Sequence, residues 1–294
     1  MNIPYTISII ITEDKITFTN EIVNSLQQKG DLLPVPEVIL ALQNLTNDPN
    51  CNVDDIHRLL KADLVLSGKI ITMSNSSYYA GGREKADNLQ EAIVRLGVYV
   101  VLDICYAAEL PKAFEKSQTF DQAQFWKHSL ATGYLSSLLA NKLINEQKPL
   151  DASFLSGLVH DVGILVLDYL IPEEYNKFLS VKDISSSEQP IEMLEREFFG
   201  IDHQELGGMF LQKWWQLPSL VIETVTDHHR NLINDSNGIT LAHIVNAANK
   251  LANEHEISHP LMTQYKEEVS EEFLLKTGIE NSELALFVEK TKIG

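Results

Sequence analysis

Phe154-Leu155-Ser156-Gly157-Leu158-Val159-His160-Asp161-Val162-Gly163-Ile164-Leu165-Val166-Leu167 is the stretch on which the reading of this chain turns. It is apolar on nearly every side, as a helix inside a bundle is. The pattern predicts one helix from Ala152 to Leu170, with Asp151 as its cap. His160 and Asp161 interrupt the apolar run. A carboxylate buried alone among such residues is costly, so Asp161 requires a metal, a cation or strong hydrogen-bond donors. Neighbouring side chains on a helix diverge by about 100°. Ring and carboxylate can therefore reach one site and serve as two ligands of one metal.

Working outward, the flanking sequence is also helical. Toward the C-terminus, Pro190 opens Ile191 to Phe199, and Gly200 ends it. Asp202 with Glu205 forms a capping-box variant ahead of a helix to Trp215. Pro218 starts Ser219 to His229, and Ile239 to Glu254 is a further helix. Toward the N-terminus, Phe125 to Leu143 carries apolar residues at helical spacing, and Asn88 caps Leu89 to Leu96. Only residues 1–20 break the pattern. Ile7, Ile9 and Ile11 alternate with polar residues, Glu13-Asp14-Lys15 reads as a turn, and Ile16 and Phe18 resume the alternation. That predicts a short β-hairpin. The expected fold class is all-α with an N-terminal hairpin.

Of the nine histidines, six in the second half of the helical region draw attention: His128, His160, His203, His228, His229 and His243. His128 can supply a third metal ligand, and it equally suits a hydrogen-bonded core histidine. His203, His228 and His229 can complete a nitrogen-rich pocket. Bland readings stand beside this one: His203 as a surface residue, and His228 and His229 as cations at a helix C-terminus. Gly157, Gly163, Gly207 and Gly208 suggest close helix approach. The run Glu192, Glu195, Glu197 reads as a solvated face. Trp214-Trp215 reads as packing for the core or for a partner surface.

Composition narrows the function classes. The 294 residues suit about two domains or one large one. There are 23 Lys+Arg against 41 Asp+Glu, a net charge of −18. Such a chain repels phosphate backbones, and no basic patch offsets this, so general nucleic-acid binding is not expected. Cys51 and Cys105 are too few for a disulfide framework or a four-thiolate metal site. No apolar run is expected to span a membrane. The N-terminus lacks the basic start of a signal peptide. A cytoplasmic protein is the expectation. Neither a GxxxxGK[ST] phosphate loop nor a G-x-S-x-G elbow occurs.

Several segments together resemble the HDOD family, the HD-related output domain of bacterial signalling proteins. They are Leu33-Pro34-x-Pro36, Asn47-Asp48-Pro49, Lys61-Ala62-Asp63-Leu64-Val65-Leu66, Ser74-Asn75-Ser76-Ser77-Tyr78-Tyr79, Glu91-Ala92-Ile93 through Leu96-Gly97, Phe125-Trp126-Lys127-His128-Ser129, Gly157 to Gly163, Phe199-Gly200-Ile201-Asp202-His203 and His228-His229. The resemblance runs from about Leu33 to Asn249. It implies an HD-like helical bundle in two lobes, 21–120 and 121–260, between the hairpin at 1–20 and a helical tail at 261–294.

The resemblance also implies a site. HD-superfamily phosphohydrolases hold metal with a His, a His-Asp doublet and a later Asp. Here His128 and His160-Asp161 match, but Asn249 stands where the later Asp falls. Related cyclic-dinucleotide phosphodiesterases carry a Lys where this chain has Ile164, and their Gly-Tyr-Pro motif is absent. An amide is a weaker ligand than a carboxylate. An aliphatic side chain cannot stabilise phosphoryl charge. The implied function is a non-catalytic signalling output or interaction module with a vestigial HD-type pocket, binding a protein partner or a small nucleotide. The alternative is a phosphohydrolase acting on a nucleotide or cyclic dinucleotide through divalent Fe, Mn, Mg or Zn.

Overall fold

Polar side chains at the heads of apolar stretches cap several of the helices. The computed structural model describes residues 13–29, 33–114, 119–181, 184, 187, 189–229, 238–255, 257–261 and 268–292. Helix α1 spans Glu13–Lys29, α2 Glu37–Thr46 and α3 Val53–Leu60. A reciprocal capping box between Asn52 and Asp55 holds the head of α3. Asp63 caps α4 (Leu64–Ser74) by accepting from Leu66 N–H. The single turn α5 (Ser77–Ala80) leads to α6 (Leu89–Leu96), capped by Asn88. Gly97 then turns the chain into α7 (Val98–Ala113).

Asp121 caps the long α8 (Gln122–Leu143), which is followed by α9 (Gln147–Val159) and α10 (Val162–Leu170). Next come α11 (Pro172–Val181), α12 (Ile191–Phe199) and α13 (His203–Phe210), whose cap is Asp202. A π-helical turn, Leu211–Trp215, ends that last element. Helices α14 (Ser219–Asp227), α15 (Leu241–Glu254), α16 (Glu271–Thr277) and α17 (Asn281–Lys292) complete the described chain.

Two expectations need correction. Among the described residues there is no strand. The predicted turn Glu13-Asp14-Lys15 and the strand at Ile16 and Phe18 lie inside α1, and the first predicted strand, at residues 1–12, lies outside the described residues. The physical reason is burial. Ile22 and Leu26, four residues apart, are buried where α1 meets α10 and α12. An isolated two-stranded hairpin has no such packing and is marginal in water. The expected single helix Ala152–Leu170 is likewise two. It breaks at His160-Asp161, with Asp161 at φ −98°, ψ 15°, the sparsely allowed bridge region that active-site residues often occupy. The stretch Gln147–Leu170 is long and apolar enough to cross a membrane by composition, yet 83% of its most apolar window is buried in the protein. It is the centre of the bundle.

Helix α8 packs on α9 and α15, and α10 packs on α13, which in turn meets α14. One apolar core runs from Ile39 and Val101 to Leu165 and Phe210, and a second joins α8 and α15 to α16 and α17. Two glycines set how closely the central helices approach. A Cβ on Gly157 would lie 2.6 Å from Ser136 Oγ and 2.8 Å from the Cα of Gly133. A Cβ on Gly163 would overlap the backbone carbonyl of His203. These approaches bring α9 against α8, and α10 against the head of α13, where the histidines sit.

The glycines therefore have opposite expected responses to alanine. Gly163→Ala and Gly157→Ala are expected to destabilise by about 1–3 kcal/mol or more through overpacking. Gly68→Ala, on the exposed face of α4 with nothing within 4 Å, is expected to stabilise by up to about 1 kcal/mol. Urea denaturation of the three variants checks this. Equal effects at all three positions would contradict the packing described.

Candidate functional site: a buried histidine cluster around Asp161

Asp161 is 5% exposed and lies at the break between two helices. His160, the last residue of the α9 cap, places Nε2 2.9 Å from Asp161 Oδ2. His203, the first residue of α13, places Nε2 3.4 Å from Oδ1. His228, at the C-terminal end of α14, places Nε2 3.3 Å from the same oxygen. His128, buried in the middle of α8, has its ring centroid 5.6 Å from that of His160. His229 lies at the edge, half-buried, with its ring 5.2 Å from that of His203. Asn249 comes from α15 and lines an opening of about 40 Å³ together with Asp161, Ile164, Lys250 and His259. Every residue expected in the pocket is thus brought to one place.

The hydrogen bonds fix which ring nitrogens carry protons. His128 Nδ1 lies 2.7 Å from Ile257 O, His160 Nδ1 2.8 Å from Gly157 O, and His228 Nδ1 2.7 Å from Val225 O. A carbonyl only accepts, so each Nδ1 must donate. In a neutral ring the Nε2 is then left with a lone pair. The Nε2 atoms of His128, His160 and His228 are buried and make no hydrogen bond among the described residues. Backbone carbonyls orient metal-binding imidazoles in this way.

Charge follows the same logic. Burial, helped by the nearby His160, lowers the His128 pKa to about 4. Burial also lowers His228, against the pull of Asp161. His229 is held well below the ordinary histidine value by burial and by its neighbours His228 and His203. Burial therefore works against the reading of His228 and His229 as cations on a helix dipole. Burial alone would raise Asp161. The surrounding histidines, His160 first and then His228 and the cation of His203, outweigh it and hold this carboxyl well below its usual range.

His203 differs from the rest. Its backbone N–H and its Nδ1 both donate to Glu195 Oε2, at 2.8 and 2.6 Å. Although burial disfavours the cation, Glu195 raises the His203 pKa to about 10. Glu195 is fully buried, which corrects the reading of the Glu192, Glu195, Glu197 run as a wholly solvated face. Helical periodicity carries the reason: Glu195 falls on the inner face of α12 with Ile191, Leu194 and Phe199.

One residue of the pocket is invisible in the motif pattern. His259 follows α15, is 2% exposed, and places Nε2 3.7 Å from Asp161 Oδ2. Its Nδ1 accepts from Leu261 N–H at 3.2 Å, so in the neutral ring Nε2 carries the proton. Burial holds this ring neutral, at a pKa of about 3. His259 faces the carboxylate as a donor where its neighbours present lone pairs. Only its histidine identity could have drawn attention to it, because no neighbouring residue forms a spacing motif.

The donor atoms form two overlapping groups, within each of which all lie within 4.8 Å of one another: His128, His160 and Asp161, and Asp161, His203, His228 and His229. Lone pairs on three buried imidazoles beside one carboxylate fit a divalent cation with mixed nitrogen and oxygen ligands.

Comparison with known proteins agrees with this architecture. The HDOD domain model matches residues 32–231. An uncharacterized protein of Treponema pallidum is 25% identical over 214 residues, which are 72% of this chain and 40% of the relative. The chain thus spans about two fifths of that relative. Among solved structures, an HDOD domain protein of unknown function from Geobacter sulfurreducens aligns with a TM-score of 0.70 at 21% identity, covering 95% of this chain and 89% of that one. A protein from Shewanella amazonensis, provisionally described as a metal-dependent phosphohydrolase, aligns with a TM-score of 0.64 at 17% identity, covering 95% and 99%. Likeness at these identities concerns the fold. The family match spans most of the chain, and the chain belongs to the HDOD family.

Proposed function

We propose that this chain is a non-catalytic signalling module of the cytoplasm, whose HD-type pocket holds one divalent metal and whose output is contact with a protein partner. The observation that carries the reading is the opening over Asp161. At about 40 Å³ it suits an ion and a water, whereas small-molecule sites usually measure about 300–1,000 Å³. Its lining repeats the two departures of the sequence: Asn249 in place of a carboxylate, and Ile164 in place of a cation. The division into lobes at 21–120 and 121–260, with a tail at 261–294, belongs to the same reading.

His128, His160 and Asp161 would hold the metal, with His228 presenting a further lone pair beside Asp161. The nitrogen-rich set suits Zn, Fe or Mn better than Mg. When bound, such an ion ties helices together and lowers the pKa of a coordinated water. The chain's own contribution is orientation. The carbonyls of Ile257, Gly157 and Val225 aim three lone pairs inward, and Glu195 holds His203 in place.

One observation favours a second reading, the metal-dependent phosphohydrolase. Lys250, next to Asn249 on α15, lines the same opening. It could supply the cation that Ile164 does not, for a nucleotide substrate reaching the pocket after local opening.

Two measurements separate these readings. Protein purified without chelator is expected to carry about one metal per chain by elemental analysis, and Asp161→Ala and His128→Ala to carry little. Saturation with metal is expected to raise the Tm by about 5 °C or more. Metal-free parent protein with no gain on adding Zn, Fe or Mn would contradict the site. In a turnover panel of cyclic dinucleotides, nucleotides and simple phosphate esters with Mn, Fe and Mg, the parent is expected to stay at the level of Asp161→Ala. Turnover lost in Asp161→Ala and in Lys250→Ala would establish the second reading instead.

A further inference from the structure

The consecutive tryptophans find no use in the histidine pocket. They form the wall of a different feature. Trp215 is 1% exposed and its Nε1–H donates to Leu33 O at 2.9 Å. Directly after it, Gln216 sits at φ 47°, ψ 42°, the one non-glycine residue in the left-handed region among the described residues. A non-glycine residue there is strained. The π turn and the strained residue hold Trp214 partly exposed, with Lys213 Nζ 4.6 Å from its ring centroid.

Trp214 borders a groove of about 1080 Å³ between α2 and α7 on one side and α9 and the head of α14 on the other. Leu40 and Tyr99, at 44% and 47% exposed, line it as large uncovered apolar side chains. Tyr106, buried, accepts a hydrogen bond from Gln43 at 2.6 Å. Asp103 and Asp151 also line the groove. Asp151 accepts from Gln147 at 2.6 Å. Asp103 has no hydrogen bond or ion pair among the described residues. Burial, with the charge of Asp151 adding to it, pushes its carboxyl well above the usual range. Among the described residues, Lys148 is the one basic side chain lining the groove.

We infer that this groove docks a peptide segment of a partner protein in which a large apolar side chain stands next to Lys or Arg. The volume lies at the upper limit for small-molecule pockets and gives room for several side chains. Leu40, Tyr99 and Trp214 offer the apolar and aromatic surface on which interface anchors settle. Asp103 and Asp151 line the groove side by side, a Lys or Arg seated there would favour the ionised form of both carboxyls, and a chain at −18 attracts basic partners from a distance. The inference gives the proposed module its output surface. It rests on that reading only in that a signalling role needs a partner, because the groove shares no lining residue with the histidine pocket.

The test is panning of a phage-displayed random dodecapeptide library on the full chain, followed by fluorescence anisotropy of the enriched peptides. Enriched sequences are expected to pair a large apolar residue with Lys or Arg within two positions. Asp103→Asn and Leu40→Glu are each expected to weaken their binding at least tenfold, with melting temperatures that show both variants folded. Asp161→Ala is expected to bind them as the parent does, so failure of the pocket reading and failure of this one are distinct. No enrichment would overturn the inference. So would enriched peptides that bind Asp103→Asn and Leu40→Glu undiminished.

Discussion

Burying the carboxylate of Asp161 is the constraint on which the rest of the site depends. An ionised group at 5% exposure is unfavourable unless partners replace its water. Here histidines surround it, four of them placing Nε2 within 3.7 Å of one or other oxygen, and of these His203 and His259 present protons. They come from four separate stretches of chain: the α9–α10 break, the head of α13, the end of α14 and the segment after α15. The carboxylate can be buried only if all of these meet. Folding of the pocket and docking of the helices are thus one event.

The geometry that satisfies Asp161 explains features that look unrelated. The interruption between α9 and α10 presents His160 and Asp161 at the start of a new helix. Gly163 then lets α10 approach the carbonyl of His203 without a side chain between them. Glu195, reached from α12, holds His203 by both its backbone and its ring. Because carbonyls occupy the Nδ1 positions of His128, His160 and His228, the site gathers more lone pairs than it can satisfy. That excess is what a cation would balance.

Much of this was legible in the residues. The helical class, the caps at Asn88 and Asp202 and the gathering of His128, His160, Asp161, His203, His228, His229 and Asn249 followed from periodicity, local chemistry and the HDOD resemblance. The hairpin did not hold, because alternation over a few residues says nothing of the α10 and α12 surfaces against which Ile22 and Leu26 pack. The break at His160-Asp161 was hidden by continuous apolarity, which is the same for one buried helix and for two. Glu195 and His259 were missed for a common reason. Each acquires its role from a contact across the fold, and neither sits in a spacing pattern that shows this.

The central claim is that backbone carbonyls hold a proton on Nδ1 of His128, His160 and His228 and so turn their Nε2 atoms toward the site of the buried Asp161. Long-range proton–nitrogen correlation spectra of the histidine rings, recorded at neutral pH on metal-free protein, test this most directly. The account predicts His128 and His228 as neutral rings protonated at Nδ1, a proton on Nδ1 of His160, and His259 protonated at Nε2. Imidazolium signals from all of these rings, or protons on Nε2 of His128, His160 and His228, would contradict it.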